Sequence, residues 1–261
     1  MTDSDALLAA IAANPDDDAP RLIYADWLDE HGDPARAEFI RVQIALTRIS
    51  VDDPNRHVLK LREKALRKRN RNDWLRPLSD LGWDGERFSR GFVTTARLVQ
   101  EIDIPTPTSE FAGVNCLFLS YTKLTDAGLR DLASCPQLAG VRVLHLSRTC
   151  ITDSGIQAIT GSRSFQKLSC LHVQGVKLKQ IGLQALATSS SLAELKTIWI
   201  DDRDLFIAAL RKARTDAKET GSSTPLPALE SVWRGALPDD LLPFAKRVEL
   251  SGSADRVPRH R

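Results

Sequence analysis

Several features that would assign a chemistry or a membrane location are missing from this 261-residue sequence. No apolar run approaches the roughly 18 residues of a membrane-spanning helix, and the start, MTDSDALLAAIAANPDDD, is acidic and lacks a cleavable signal. The four cysteines have no C-x-x-C spacing, and no nucleophile elbow, phosphate-binding loop or metal-ligand spacing appears. These absences predict a soluble cytoplasmic protein that is not an enzyme and holds no metal or cofactor.

What the sequence does contain is a segment that recurs every 27 residues. The copies are LFLSYTKLTDAGLRDLA from Leu117, LHLSRTCITDSGIQAIT from Leu144, LHVQGVKLKQIGLQALA from Leu171 and a degraded IWIDDRDLFIAALRKA from Ile198. A fixed period of this length is typical of a leucine-rich solenoid. Such an array builds an extended binding surface and rarely contributes catalysis.

Each copy combines a strand pattern with a helix pattern. Apolar residues alternate in the first half, which predicts parallel strands near 117–119, 144–146, 171–173 and 198–200. A Thr-Asp pair then offers a helix N-cap in the first two copies, whereas Lys179 and Gln180 replace it in the third. The glycine that follows, as at Gly155 and Gly182, is interpreted as close packing of the helix on the sheet.

These residues carry two family resemblances. The T-D-x-G-L core resembles leucine-rich repeats of the ribonuclease-inhibitor-like class, especially those of planctomycete bacteria, with Thr122 and Thr149 where other repeats place Asn. Residues 7–43, LLAAIAANPDDDAPRLIYADWLDEHGDPARAEFIRVQ, resemble the repeat-companion domain that precedes such repeats in planctomycete proteins. The resemblance implies a bacterial scaffold protein, and it implies no activity for the companion domain.

The predicted fold class is therefore α/β, with a short solenoid of parallel strands plus helices behind an N-terminal all-helical domain. The predicted divisions are residues 1–80 for the helical companion domain, 81–113 for a linking strand and irregular cap, 114–213 for the repeats, 214–250 for a flexible insertion and C-terminal cap, and 251–261 for a disordered tail. Within them, residues 88–98 read as one strand. All four cysteines are expected to be free apolar fillers.

Charge is distributed unevenly along the first hundred residues. Residues 1–40 hold ten acidic and two basic side chains, and residues 41–100 hold fourteen basic and seven acidic ones. The basic helix predicted over 54–71 carries the candidate nucleic-acid contacts Lys60, Lys64, Arg67, Lys68 and Arg71. The alternative is an amphipathic helix with Val58, Leu61 and Ala65 inward, whose cations are solvated or face the acidic helices.

A second cluster, Asp26, Asp29, Glu30, His31 and Asp33, has residue types that bind metals. Asp33 precedes Pro34, however, and is better explained as a helix cap. We therefore expect no metal site at this cluster.

The strongest candidate site is a row of outward strand positions in the four copies. Its members are Phe118, His145, His172 and Trp199, beside Ser120, Ser147, Gln174 and Asp201, with Tyr121 and Arg148 adjacent. Packing does not require rings at outward positions, which favours a strip on the concave face that binds a protein partner, although ordinary variation at solvent-facing positions is the alternative. The second functional hypothesis is an accessory subunit that binds nucleic acid through residues 54–71. Neither hypothesis involves a small-molecule substrate or a membrane.

Overall fold

The computed structural model describes residues 2–99, 106–220 and 231–232, and they form an α/β fold. The helices are α1 Asp3–Ala13, α2 Ala19–Glu30, α3 Pro34–Arg48, α4 Asn55–Ser79, α5 Asp126–Ala133, α6 Asp153–Thr160, α7 Gln180–Thr188 and α8 Arg203–Thr220. The strands are β1 Trp83–Gly85, β2 Phe88–Ser89, β3 Phe92–Val93, β4 Thr95–Leu98, β5 Cys116–Phe118, β6 Val143–His145, β7 Cys170–His172, β8 Thr197–Trp199 and β9 Ser231–Val232. Two short 3₁₀ helices occupy Ser109–Gly113 and Pro136–Leu138.

The main sheet has the strand order β1-β4-β5-β6-β7-β8-β9. Only β1 is antiparallel to its neighbour; the remaining pairs are parallel. Leu117 pairs with Leu144, Leu144 with Leu171, and Leu171 with Ile198, so neighbouring strands are offset by one 27-residue period. The predicted parallel strands are confirmed, and each begins one residue earlier than expected.

One face of this sheet packs against the helices that follow the strands. Leu117, Leu144, Leu171 and Ile198 are all fully buried there. A second fully buried row repeats at the same period in the segments that lead into the strands. Its members are Phe111, Leu138, Phe165 and Leu192. Successive copies therefore stack their apolar residues into one continuous core that also contains α5–α8 residues such as Leu132.

The helices of the repeated units begin as the Thr-Asp motif predicts. The hydroxyl of Thr152 accepts a hydrogen bond from Ser154 N–H at the start of α6, and that of Thr125 accepts one from Gly128 N–H at the start of α5. Lys179 makes no side-chain cap at the start of α7. Its backbone N–H donates to a carboxylate oxygen of Asp153 at 2.8 Å, as Thr152 N–H donates to Asp126, so this contact with the preceding copy is kept although the cap is lost.

The N-terminal helices pack with the residues that lead into the sheet. Leu8, Ile11 and Ile40 share a buried cluster with Phe92 and Ala112, which belong to the segment between α4 and β5. Arg36 is buried beside them, and its guanidinium lies over the rings of Trp74, Phe88 and Phe92. Burial lowers the pKa of Arg36 to about 10, and its cation–π contacts provide partial compensation.

Ion pairs connect acidic residues within positions 1–40 to basic residues further along the chain. Arg41 contacts Asp26 and Asp29 at 2.6 Å each, and Arg62 contacts Glu38 at 2.6 Å. The loop between α1 and α2 is held against the sheet by Asp16, whose carboxylate lies 2.5 Å from Arg142. Lys167 donates to the carbonyl of Ala13 at 2.9 Å. The opposite charges therefore attach the helices to one another and to the repeated units.

Three sequence predictions about these elements need correction. The basic helix continues to Ser79 instead of ending near Asn70, and Val58 and Leu61 are 64% and 55% exposed instead of inward. Residues 88–98 are not one strand, because Arg90 and Gly91 adopt positive φ and form the turn between β2 and β3. Helix α8 continues to Thr220, into the predicted insertion.

The structure describes only part of the C-terminal region in which the sequence predicted a cap and a tail. β9 lies at Ser231–Val232, within residues 214–250, where the sequence predicted a flexible insertion and a C-terminal cap. The rest of the predicted C-terminal cap and the tail at 251–261 lie outside the described residues. No helix in the described ranges combines the length and apolar character needed to span a bilayer.

Candidate functional site

The outer face of the sheet carries four stacked rings, which we name the ring ladder: Phe118, His145, His172 and Trp199. Neighbouring ring centroids are 3.9, 4.1 and 5.0 Å apart along the ladder, with interplanar angles of 8°, 27° and 12°. The parallel register of β5–β8 places one ring on each strand at the same height. The sequence prediction that these residues form a row is thus correct.

The prediction that the rings face solvent is only partly right. All four side chains are half-buried, because each ring is covered by its neighbours in the stack. Since the faces of His145 and His172 are covered on both sides, the ring edges meet the solvent. Aromatic edges are electropositive, and a neutral imidazole also has one N–H donor. The ladder therefore suits a ligand that presents hydrogen-bond acceptors to the ring edges.

Both imidazoles are neutral near pH 7. Burial, followed by the neighbouring His172 and Arg97, lowers the pKa of His145 to about 3. Burial alone lowers the pKa of His172 to about 4. Loss of solvation on burial is the larger cause of these shifts, ahead of the repulsion between the two imidazoles.

Two further rows flank the ring ladder. On one side lie Cys116, Val143, Cys170 and Thr197, all half-buried. On the other side, the backbone N–H of Ser147 donates to the hydroxyl of Ser120 at 3.1 Å. Gln174 and Asp201 continue that second row, and the carboxylate of Asp201 accepts a hydrogen bond from Gly175 N–H. The ladder therefore runs between a weakly polar row and a hydrogen-bonded polar row.

A cysteine and a histidine of this face are in contact. Cys170 Sγ lies 3.4 Å from His172 Nε2. Burial raises the pKa of Cys170 to about 11, partly offset by a hydrogen bond with Trp199, while burial lowers the pKa of His172. A nucleophilic cysteine needs the opposite shifts, toward a thiolate beside an imidazolium. The contact is therefore a hydrogen bond between two neutral groups.

An open polar depression of about 380 Å³ adjoins the ladder, lined by Tyr121, Ser147, Arg148, Gln174, Gly175 and Asp201. Tyr121, Arg148 and Gly175 have φ of 65°, 55° and 71° and are one period apart. The first three repeated units thus make the same left-handed turn after their strands, which is unfavourable for Tyr and Arg. This turn places the guanidinium of Arg148 5.7 Å from the Tyr121 ring centroid.

Arg97 is a site residue that the repeat period missed. It pairs with Phe118 in the sheet, and its guanidinium lies 5.2 Å from the Phe118 ring centroid. Glu86 holds the same guanidinium in an ion pair at 2.8 Å. Arg97 lies before the first repeated copy, less than one period ahead of Phe118, so the repeat does not include it. Only the predicted strand over 88–98 pointed to this residue. The Cys116 row, in contrast, follows the period directly.

The basic helix and the acidic cluster lie apart from this face. Lys60, Lys64 and Lys68 are exposed on α4 and have no ion pair among the described residues, whereas Arg67 contacts Glu63 at 3.4 Å. Arg71 donates to the carbonyl of Gly85 at 3.1 Å, so it serves packing as well as charge.

The acidic cluster resolves into separate structural contacts. Asp33 accepts a hydrogen bond from Arg36 N–H and caps α3, as predicted. Asp26 and Asp29 bind Arg41, and His31 Nδ1 lies 2.7 Å from the Trp27 carbonyl. Within the described ranges, no group of three His, Cys, Asp or Glu side chains is arranged to hold a metal ion.

Comparison with known proteins does not assign a family or a function to this chain. No protein-family model matches the chain, and no curated protein is similar to it at a significant level.

Proposed function

We propose that residues 114–213 form a leucine-rich-repeat solenoid behind an all-helical companion domain, and that the chain is a non-enzymatic protein-binding module. The in-register strands offset by 27 residues and the buried rows of the same period support the solenoid. The binding surface in this proposal is the outer, concave face of the sheet.

The ring ladder is the observation that carries the proposal. Four large rings occupy an outer face where the core does not need them, and they are stacked in contact. Aromatic side chains are enriched in the cores of protein interfaces. The proposed partner is an extended protein segment whose carbonyl or carboxylate oxygens meet the ring edges, with Arg148 available beside them for a partner carboxylate.

The pKa shifts on this face support a binding role over a catalytic one. General acid–base catalysis needs a group that changes protonation near the working pH. The imidazoles titrate near pH 3 and 4, and the Cys170 thiol near 11. These groups therefore keep one protonation state near neutral pH.

The proposal is tested by capturing partners from the host with the full chain and then measuring direct binding to the purified candidate. Trp199→Ala and His172→Ala should each weaken binding by more than ~1 kcal/mol. His172→Phe keeps the stack and removes the ring nitrogens, so it separates hydrogen bonding from packing. Arg67→Glu on α4 is the control and should leave affinity unchanged. Loss of binding with Arg67→Glu alone would contradict the proposal.

A second function, nucleic-acid association, is favoured by one observation. Lys60, Lys64 and Lys68 are exposed on α4 without counter-ions among the described residues, and such cations bind phosphate backbones in a salt-dependent manner. Binding to immobilised duplex DNA and single-stranded RNA across a salt series distinguishes the two functions. A steep loss of affinity with salt that Lys64→Glu abolishes supports this alternative, and absence of binding at low salt rejects it.

A further inference from the structure

Helix α4 presents a line of apolar side chains to solvent. Val58 and Leu61 are 64% and 55% exposed, and Ala65 is exposed on the same side of the helix, because these positions follow the i, i+3, i+7 spacing. The buried positions of α4 are instead Leu66, Leu75 and Leu78. The described part of the chain therefore leaves an apolar line on α4 uncovered.

A groove lies between α3 and α4, beside this apolar line. Its volume is about 460 Å³, and its apolar lining consists of Pro34, Ala35, Ala65 and Leu66. Alanine has a small side chain, and one comes from each helix, so the groove has room for an aliphatic side chain from another molecule. We name this depression the α3–α4 groove.

The α3–α4 groove carries surplus positive charge. Arg62 and Glu38 both line it, and they neutralise each other through two hydrogen bonds of 2.6 Å. Arg69 also lines it and has no ion pair among the described residues, and neither have the exposed Lys64 and Lys68 on the same helix. An occupant with carboxylates is therefore favoured over a neutral one.

Helix α2 has the complementary surface. Ile23 is 56% exposed, and the exposed Asp26 and Glu30 lie at i+3 and i+7 on the same side of the helix. Arg41 is shared between Asp26 and Asp29, so one guanidinium faces two carboxylates. Glu30 has no ion pair within the described ranges. This side of α2, which we name the acidic edge, therefore combines an exposed aliphatic side chain with surplus negative charge.

The acidic edge and the α3–α4 groove border one exposed surface. Glu38 and Arg41 are three residues apart on α3 and so lie on the same side of that helix. Arg41 reaches Asp26 on α2, Glu38 reaches Arg62 on α4, and the side chains of both pairs are at least 39% exposed. Since α3 packs against both α2 and α4, it separates the acidic edge from the groove within one copy.

We propose that this surface pairs with the same surface of a second copy of the chain. In a two-fold dimer, Ile23 of each copy enters the α3–α4 groove of the other, and Glu30 faces the cations around Arg69. A two-fold axis forms both contacts at once, because a surface that carries both complementary parts uses them twice. None of these residues belongs to the ring ladder, so the dimer carries two ladders.

Sedimentation velocity of the full chain over a range of concentrations tests the proposal. We expect a monomer–dimer equilibrium that weakens as salt is added, since part of the attraction is between exposed charges. Ile23→Asp should raise the dissociation constant about tenfold or more, because it places a charge against an apolar groove. Its melting temperature should stay close to that of the parent, because Ile23 lies outside the core.

Charge reversal gives a sharper test. Glu30→Lys and Arg69→Glu break no ion pair among the described residues, and each variant alone should be mainly monomeric because like charges then meet. An equimolar mixture of the two should dimerise, since the reversed charges face each other in the mixed dimer. Arg130→Glu, on the exposed side of α5, makes the same charge change elsewhere and should keep the parent dissociation constant.

Two results would overturn the dimer. One is a parent chain that stays monomeric at about 0.1 mM, where interfaces of micromolar affinity associate. The other is a mixture of Glu30→Lys and Arg69→Glu that associates no better than either variant alone. If the chain is monomeric and Arg69→Glu abolishes its binding to duplex DNA, the surface binds nucleic acid and the dimer is wrong.

Discussion

Asp126 and Gly155, which belong to successive helices, are in such close contact that a side chain at position 155 would have to displace the Asp126 carboxylate. A β-carbon on Gly155 would lie 2.6 Å from Asp126 Oδ1. The same carboxylate accepts hydrogen bonds from the backbone N–H and the hydroxyl of Thr152, at 2.7 and 2.6 Å. Gly182 has the same relationship to Asp153. The recurring glycine, at Gly155 and Gly182, therefore lets each helix approach the aspartate at the start of the preceding helix, and Gly155 also lies close to the core residues Ile151 and Leu129.

Gly155→Ala should destabilise the chain by about 1–3 kcal/mol, because the new methyl displaces the Asp126 carboxylate from Thr152. Asp126→Ala removes the same hydrogen bonds. The double variant should therefore be more stable than the sum of the two single changes predicts. Urea denaturation of all four proteins measures this coupling. If the two destabilisations simply add, contact with Asp126 is not the reason why position 155 holds glycine.

Leu146→Ala should lower the free energy of unfolding by ~2–5 kcal/mol, since it leaves a cavity in a fully packed core. Leu146 is 0% exposed and lies between the equivalent residues Leu119 and Val173 of the adjacent copies. Ser147→Ala, at the next position on the half-buried outer face, is the control and should have a small effect. A parent-like melting temperature for Leu146→Ala would contradict the placement of Leu119, Leu146 and Val173 in the core.

The ring ladder should make stability depend on pH. The folded chain holds the pKa of His145 at about 3 and that of His172 at about 4, against an ordinary value of 6.5. Below pH 6.5 the unfolded chain binds protons that the folded chain does not, so stability falls as pH decreases toward 4. Each histidine contributes a slope of up to about 1.4 kcal/mol per pH unit.

The double substitution His145→Phe and His172→Phe keeps four stacked rings and removes both titrations. Urea denaturation at pH 7, 6, 5 and 4.5 should therefore show a shallower pH dependence than in the parent, while the carboxylates common to both proteins contribute equally. Identical pH slopes for the two proteins would indicate that the imidazoles are solvated and titrate normally.

The thiols should differ in reactivity. Cys150 is exposed and Cys135 is buried, while burial raises the pKa of Cys116 and Cys170 to about 11. A thiol reagent at pH 8 should modify Cys150 rapidly and the others slowly, and it should find four groups in denaturant. Cys150→Ser is the control that abolishes the fast phase. A fast phase that survives this substitution would place a reactive thiolate elsewhere.

The repeat period predicts what each copy has in common, and it does not predict the contacts between copies. It yields the register of Leu117 with Leu144 and the alignment of Phe118 with His145, because parallel strands preserve a constant offset. It cannot show that the rings stack and bury one another, since stacking depends on the side-chain torsions of neighbours. It also misses Arg97, which precedes the periodic segment.

The N-terminal helices were harder to predict for another reason. Helix α4 has polar residues on nearly every side, so its sequence does not identify the face that packs. Val58 and Leu61 are consequently exposed, while Leu66, Leu75 and Leu78 form the buried positions. The turn at Arg90 was missed because arginine is an unusual residue for positive φ.

The attachment of the α1–α2 loop to the sheet has a mechanical consequence. Arg142 and Lys167, which precede β6 and β7, contact Asp16 of that loop and the carbonyl of Ala13 at the end of α1. These two contacts connect the N-terminal helices to the starts of the neighbouring strands β6 and β7, while β8 with Trp199 lies one strand further away. We expect the sheet to be stiffest at β6 and β7, beside these two contacts, so that the rings of His145 and His172 keep the most constant spacing in the ring ladder.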